Sequence, residues 1–97
     1  TEVSVDKIRL PKDQPRKYFD SAKMRELVES VREYGILEPL LVRPLANGEY
    51  ELVAGERRYR AAKEVGLDTI PIVSRDLNDQ DAIRIALVEN LQREDLN

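Results

Sequence analysis

Tyr50-Glu51-Leu52-Val53-Ala54-Gly55-Glu56-Arg57-Arg58-Tyr59-Arg60-Ala61-Ala62-Lys63-Glu64-Val65-Gly66 decides the fold, because the apolar repeat of a strand gives way to that of a helix at Gly55. Tyr50, Leu52 and Val53 read as the end of a strand. Arg58, Ala61, Ala62 and Val65 recur at helical spacing, and Gly66 is a natural stop. The helix is therefore predicted to begin near Gly55. Free N–H groups and the positive end of the helix dipole point out of such a terminus, and Gly55 lets a ligand approach the backbone. Arg57, Arg58 and Arg60 add fixed charge, so a phosphate chain fits there. The same residues also fit a solvated arginine-rich face with Glu56 and Arg60 paired at i and i+4. The cluster alone leaves both readings open.

Working outward, the chain of 97 residues has room for one domain with a modest core. With 36% charged and 41% hydrophobic residues it reads as an ordinary soluble globular domain. There is no apolar run of membrane-spanning length and no signal peptide pattern, so no membrane partner is expected. The absence of cysteine and histidine excludes thiol nucleophiles, disulfides, zinc-finger spacing and imidazole bases. Any metal would use oxygen ligands, which favours a magnesium-like ion. A formal charge of −3 argues against a broad DNA-binding surface, although Arg57, Arg58, Arg60 and Lys63 could hold a small polyanion. A chain that starts at Thr1 and stops at Asn97, just beyond a predicted helix, is expected to be a piece of a longer protein.

Upstream, Val3, Val5 and Ile8 alternate in part and predict an edge strand. Pro11 and Pro15 make residues 10–17 an extended loop, in which Gln14-Pro15-Arg16 presents an amide and a guanidinium on a stiff backbone. A first helix follows, with Asp20 as N-cap, a Phe19 to Met24 staple, an apolar face of Met24, Leu27, Val28 and Val31, and a stop at Gly35. Gly35-Ile36-Leu37-Glu38-Pro39 leads into Leu40-Leu41-Val42-Arg43, and Ala46-Asn47-Gly48 turns the chain into the Tyr50 strand, which makes a β-hairpin. Downstream, Thr69-Ile70-Pro71-Ile72-Val73 reads as a short strand with Pro71 at its start or at the sheet edge.

The last helix is predicted from Asn78, with Asp79 and Asp81 in its first turn as the dipole prefers. Ile83, Ala86 and Leu87 mark its apolar stripe, with Asn90 in the middle and Glu89 on the flank beside Ala82 and Ala86. A carboxylate beside an amide supplies oxygen donors for a hard cation, but spacing alone favours a stripe that ends there with Asn90 facing solvent.

Taken together, Gln14-Pro15-Arg16, Gly35 to Pro39, Ala54 to Ala62 and Glu89-Asn90-Leu91-Gln92-Arg93 resemble, in order and spacing, the N-terminal domain of the ParB family. The resemblance covers essentially the whole chain, and the arginine motif joined to Glu-Asn-x-Gln-Arg is its specific part. It implies an α+β fold of ParB/sulfiredoxin type, a small mixed sheet with a β-hairpin and three to four packed helices. ParB proteins are bacterial DNA-segregation factors in which this domain binds CTP with magnesium. A following helix-turn-helix domain reads a centromere-like site, and a C-terminal segment dimerises. Nucleotide binding closes two N-terminal domains into a clamp that slides on DNA, and hydrolysis resets it.

Carried onto this sequence, the resemblance implies that Gly55, Glu56, Arg57 and Arg58 cradle the phosphates. Gln14, Arg16 and the turn from Gly35 through Ile36 to Pro39 would line the nucleotide pocket, and Glu89 and Asn90 would hold Mg2+. Arg58 should lean over the buried side to meet the ligand, while Arg60 faces outward to support Glu56 or a neighbouring element. No general base is identified, so a slow CTPase is implied, with Gln14 orienting a water and catalysis resting on metal and arginine charge. The implied setting is cytoplasmic, on nucleoid or plasmid, with a ParA-type ATPase, DNA bound through the parent protein and self-association on nucleotide binding. Sulfiredoxin chemistry is excluded because its motif carries a cysteine and this chain has none. A ParB-like nuclease would want clustered carboxylates, for which Glu89 and Glu56 are a thin supply. A silent interaction module needs only the fold.

Overall fold

Val3, Val5 and Ile8, which the alternation predicts as one edge strand, fall into three successive elements. The computed structural model describes residues 1–11 and 21–94, with side chains through residue 89. Strand β1 spans Glu2–Ser4, a 3-10 turn spans Val5–Lys7, and β2 spans Ile8–Arg9. The other strands are β3 (Leu40–Pro44), β4 (Tyr50–Ala54) and β5 (Thr69–Ser74). Their order across the five-stranded sheet is β1-β5-β3-β4-β2, so β1 and β2 lie at opposite edges although one short turn joins them. At the usual strand spacing a flat five-stranded sheet would hold its outer strands about 19 Å apart. The 3-10 turn advances the chain by only about 8 Å. The sheet must therefore curl, and this mixed, curled sheet with its helices is the α+β fold expected.

The hairpin forms as predicted: β3 pairs antiparallel with β4, Arg43 opposite Glu51 and Pro44 opposite Tyr50. Its turn closes through the Leu45 N–H to the Glu49 carbonyl at 2.8 Å, with Gly48 at φ +83°. β5 runs parallel to β3, Leu40 facing Ile72, and β1 covers the other side of β5.

Here the expectation for Pro71 fails. It is the third residue of β5, in a strand flanked on both sides, rather than at a strand start or sheet edge. The position tolerates proline because alternate residues point their N–H groups to alternate neighbours. The Ile72 N–H donates outward to the Thr1 carbonyl at 2.8 Å. Pro71 therefore turns its donor-free nitrogen toward the chain just before β3 begins, where no ladder partner is paired.

Helix α1 (Ser21–Tyr34) buries Val28 and Val31 and half-buries Met24 and Leu27, the predicted face. The Gly35 N–H closes it on the Val31 carbonyl at 2.8 Å. The predicted Asp20 cap and Phe19 staple lie outside the described residues. Helix α2 (Glu56–Val65) ends as its sequence predicts, with Gly66 at φ +91° and the N–H groups of Gly66 and Leu67 both on the Ala62 carbonyl at 3.0 Å.

The core forms where α2 meets the sheet. Ile8, Leu40, Val42, Leu52, Ile70 and Ile72 close on Tyr59 and Ala62, and a second group joins Val28 and Val31 of α1 to Ala61. Ile36 touches both groups. Each such aliphatic side chain contributes about 1.5–3 kcal/mol of burial free energy, so this seam fixes α2 on the sheet.

Helix α3 (Asp79–Glu94) starts as expected, with Asn78 Oδ1 accepting from the Asp81 N–H at 2.8 Å. Its predicted stripe is turned the wrong way: Ile83 is 61% and Leu87 53% exposed. The half-buried face carries Ala82, Ile85 and Glu89, with Ala86 the one of the three stripe residues that lies on it. Apolar residues surround this helix, so spacing did not single out a face. Ala82 and Ala86 are the small side chains that allow close approach to the body of the domain.

Candidate functional site

The start of α2 is built from the strand that precedes it. β4 ends at Ala54, and one residue, Gly55, turns the chain into the helix at φ +106°. Glycine is required twice at this point. The dihedral lies in the left-handed region, and a Cβ would sit 3.1 Å from Leu40 Cγ and 3.2 Å from Arg58 Nη2. Gly55 brings no side chain to cap the helix, and the first intrahelical bond is Tyr59 N–H to the Gly55 carbonyl at 2.9 Å. The N–H groups of Glu56, Arg57 and Arg58 thus have no acceptor within the helix and carry its partial positive charge.

The three arginines take different roles. Arg57 is half-buried in the first turn. Arg60 faces outward and returns to Glu56, with Nε at 2.9 Å and Nη2 at 2.7 Å from Oε2, which is the i, i+4 pair read from the sequence. Glu56 itself is only 5% exposed, a buried carboxylate paired with Arg60.

Arg58 does lean across the buried side, but its target in the described structure is backbone. Nη1 donates to the Glu38 carbonyl at 2.6 Å and to the Pro39 carbonyl at 3.0 Å, with the Glu38 carboxylate 3.8 Å away. It thereby ties the turn 35–39 to the start of α2. In that turn Gly35 adopts φ +76°, Ile36 is anchored in the core, and Leu37 is 77% exposed. Two of the four sequence groups singled out for a ligand, Gly35 to Pro39 and Gly55 to Arg60, are thus physically joined.

The other two are less complete. Gln14 and Arg16 lie outside the described residues, as does the side chain of Asn90. Glu89 is half-buried on the inward face of α3. Among the described residues no three acidic or thiol or imidazole groups gather where they could cage a metal ion. The donor set of one carboxylate and one neighbouring amide fits magnesium nonetheless, because that ion commonly takes one or two carboxylates and completes its shell with waters and phosphate oxygens.

Reading the sequence residue by residue missed what holds α3. Arg43 reaches Glu51 Oε1 through Nε at 2.8 Å and Nη2 at 2.7 Å, Asp79 Oδ1 at 2.8 Å and the Leu77 carbonyl at 3.1 Å. The Asp79 hydrogen bond first, then Glu51, raise its already high pKa further against the opposing effect of burial. The signal was available: a hairpin turning at residues 46–48 places Arg43 opposite Glu51. At the far side of the hairpin, Arg9 pairs with Glu49. The Asn47 amide, then Arg9, hold the Glu49 carboxyl below its ordinary value.

A curled mixed sheet carrying a glycine-led helix is the ParB/sulfiredoxin class of fold, and the sulfiredoxin of Arabidopsis thaliana superposes with a TM-score of 0.70 over 90% of this chain and 94% of its own, at 32% identity. Within that class the chain belongs to the ParB N-terminal domain family, whose model matches residues 1–91. It is 61% identical over 84 residues to the chromosome-partitioning protein Spo0J of Thermus thermophilus, 87% of this chain and 31% of that protein. It also resembles two structures of C-terminally truncated chromosome-partitioning protein ParB from Caulobacter crescentus. The one complexed with CTP-gamma-S has a TM-score of 0.84 at 44% identity, covering 95% of this chain and 52% of that one. The one complexed to the centromeric parS site has a TM-score of 0.85 at 42% identity, covering 100% and 50%. The chain spans about a third of the length of the curated relatives it matches. No helix among the described residues is long and apolar enough to cross a membrane.

Proposed function

We propose that this chain is the CTP-binding N-terminal domain of a ParB-type partition protein. The observation that carries the reading is the uncapped start of α2 behind Gly55, fastened by Arg58 to the turn 35–39, in a chain 44% identical to a ParB complexed with CTP-gamma-S. The triphosphate would lie on the N–H groups of residues 56–58 with Arg57 and Arg58 beside it, which satisfies donors that the helix cannot. Gly35, Ile36 and Pro39, with Gln14 and Arg16, would line the remainder of the pocket. Glu89 and Asn90 would hold Mg2+, which when bound neutralises phosphate charge. Gln14 is the residue proposed to orient water for slow CTP hydrolysis.

In the parent protein the domain would act in a clamp on DNA, two copies associating on nucleotide binding, with sequence recognition by a separate module and a ParA-type ATPase as partner. The negative charge of this chain fits such a division of labour, since it does not favour DNA phosphates by itself. Calorimetric titration with each of the four ribonucleoside triphosphates, with and without magnesium, tests the reading. CTP should bind most tightly, magnesium should strengthen binding, and Glu89→Gln should remove that magnesium dependence while leaving the fold. Equal binding of all four nucleotides would refute it. DNA nicking that needs Glu89 and ignores CTP would favour a nuclease.

A further inference from the structure

Arg58 takes a place that the sheet leaves empty. β5 runs parallel to β3 with Leu40 opposite Ile72, and the Ile72 N–H points the other way, to the Thr1 carbonyl. Residue 71 therefore faces β3. A backbone N–H there would continue the ladder toward the Glu38 carbonyl, one alternate residue before Leu40, but Pro71 has none. Arg58 Nη1 occupies that acceptor at 2.6 Å and the adjacent Pro39 carbonyl at 3.0 Å. Its other terminal nitrogen lies where a Cβ on Gly55 would be only 3.2 Å away, so the guanidinium is wedged between the turn and the helix start. The turn has Ile36 in the core on one side and exposed Leu37, Glu38 and Pro39 on the other. Arg58 joins its outer half to α2.

We propose that Arg58 is a positioning residue for nucleotide specificity: by holding the carbonyls of Glu38 and Pro39 it sets the distance between the turn 35–39 and the phosphate-binding start of α2, so that base choice depends on it. The inference rests on the CTP reading above. It differs from a plain phosphate contact in what a change should cost. Losing a charge near phosphate weakens every triphosphate by a similar factor. Losing the latch frees the turn, so the preferred base suffers most and a ligand without a base suffers least.

The test uses Arg58→Met, Pro71→Val and the double variant, titrated with CTP, UTP and inorganic tripolyphosphate. Arg58→Met should weaken CTP at least tenfold and UTP and tripolyphosphate by smaller factors, so that the preference of CTP over UTP shrinks at least threefold. Pro71→Val supplies an N–H to the Glu38 carbonyl and should restore at least half of the lost preference in the Arg58→Met background, which no replacement of phosphate charge could do. Equal loss for all three ligands, or no rescue by Pro71→Val, overturns the proposal. If the unaltered chain itself shows no preference for CTP, the CTP reading falls and this inference with it, whereas a preserved preference in Arg58→Met defeats this inference alone. Should Arg58→Met fail to fold, Arg58→Lys, which lacks the second terminal nitrogen that wedges the guanidinium against the Gly55 face, should lose preference at least twofold and regain it with Pro71→Val.

Discussion

The start of α2 and the start of α3 are both strand-to-helix junctions with acidic and basic residues close by, yet they are held by different forces. At α2 the backbone enters the helix through a single glycine in the left-handed region, and the helix lies on a closed core of Tyr59, Ala61 and Ala62. At α3 a loop ends in an Asn78 cap, the inward face is only half-buried, and Ile83, Leu87 and Val88 are exposed. What fastens it is Arg43 with Glu51, Asp79 and the Leu77 carbonyl. A junction made by packing and dihedral geometry is rigid, and one made by polar links on a surface opens at lower free energy.

Breaking the first junction should have the largest effect. Gly55→Ala combines left-handed strain with a Cβ pressed on Leu40 and Arg58, and should cost roughly 2–4 kcal/mol. Gly48→Ala is the matched control: its φ is +83°, but nothing lies within 4 Å of a new Cβ. It should cost about 1 kcal/mol, the strain alone. Thermal melting followed by circular dichroism gives both numbers, and equal shifts for the two variants would show that the packing around Gly55 contributes nothing.

Next in size is the pair that stands over the first turn of α2. Arg60→Met removes the cation from a carboxylate that is 5% exposed and should destabilise by roughly 1–3 kcal/mol, the Arg60 side chain being itself half-exposed and partly screened. Urea denaturation measures it. Glu56→Gln with Arg60→Met together should recover part of the loss, because the buried charge is gone.

The difference between the junctions also explains what could be read from the sequence. The hairpin, α1, α2 and both ends of α2 were legible because each is specified locally by spacing and glycine. The Glu56 and Arg60 pair was legible for the same reason. Val3, Val5 and Ile8 were not, since the division of one apolar run between two sheet edges depends on curl, which no local pattern carries. The inward face of α3 was hidden by apolar residues on every side of it. Arg58 was rightly placed on the buried side, but its carbonyl partners follow from a proline thirteen residues further on, in a strand whose register the sequence does not announce. Gln14, Arg16 and the Asn90 side chain lie outside the described residues.

Arg43→Met sharpens the comparison from the other side. It should cost roughly 1–2 kcal/mol overall, less than Gly55→Ala, but concentrate its effect. Amide hydrogen exchange should accelerate over residues 79–89 and stay unchanged in α1 and α2. Uniform acceleration across the chain would mean that α3 is part of the same cooperative unit as α2.

The smallest effect is expected at the hairpin end, which belongs to neither junction and where surface polar links supplement the backbone bonds of the turn. Glu49 accepts from the Asn47 amide at 3.0 Å and from Arg9, and its carboxyl is held below its ordinary 4.5, chiefly by Asn47. A lowered folded-state pKa means that the unfolded chain takes up the proton first as acid is added. The stabilisation from Glu49 is therefore complete above pH 4.5 and disappears as pH falls through the lower folded value. Asn47→Ala should reduce stability near neutral pH slightly and flatten that part of the acid profile, and the two curves should converge once Glu49 is protonated in both states. Stability measured by urea at closely spaced pH values below 5 reads the difference, which should shrink in high salt because the groups are exposed. Parallel curves, with a gap that survives full protonation, would assign the Asn47 contribution to the turn backbone, where its Oδ1 accepts from the Glu49 N–H at 3.2 Å, and not to the carboxylate.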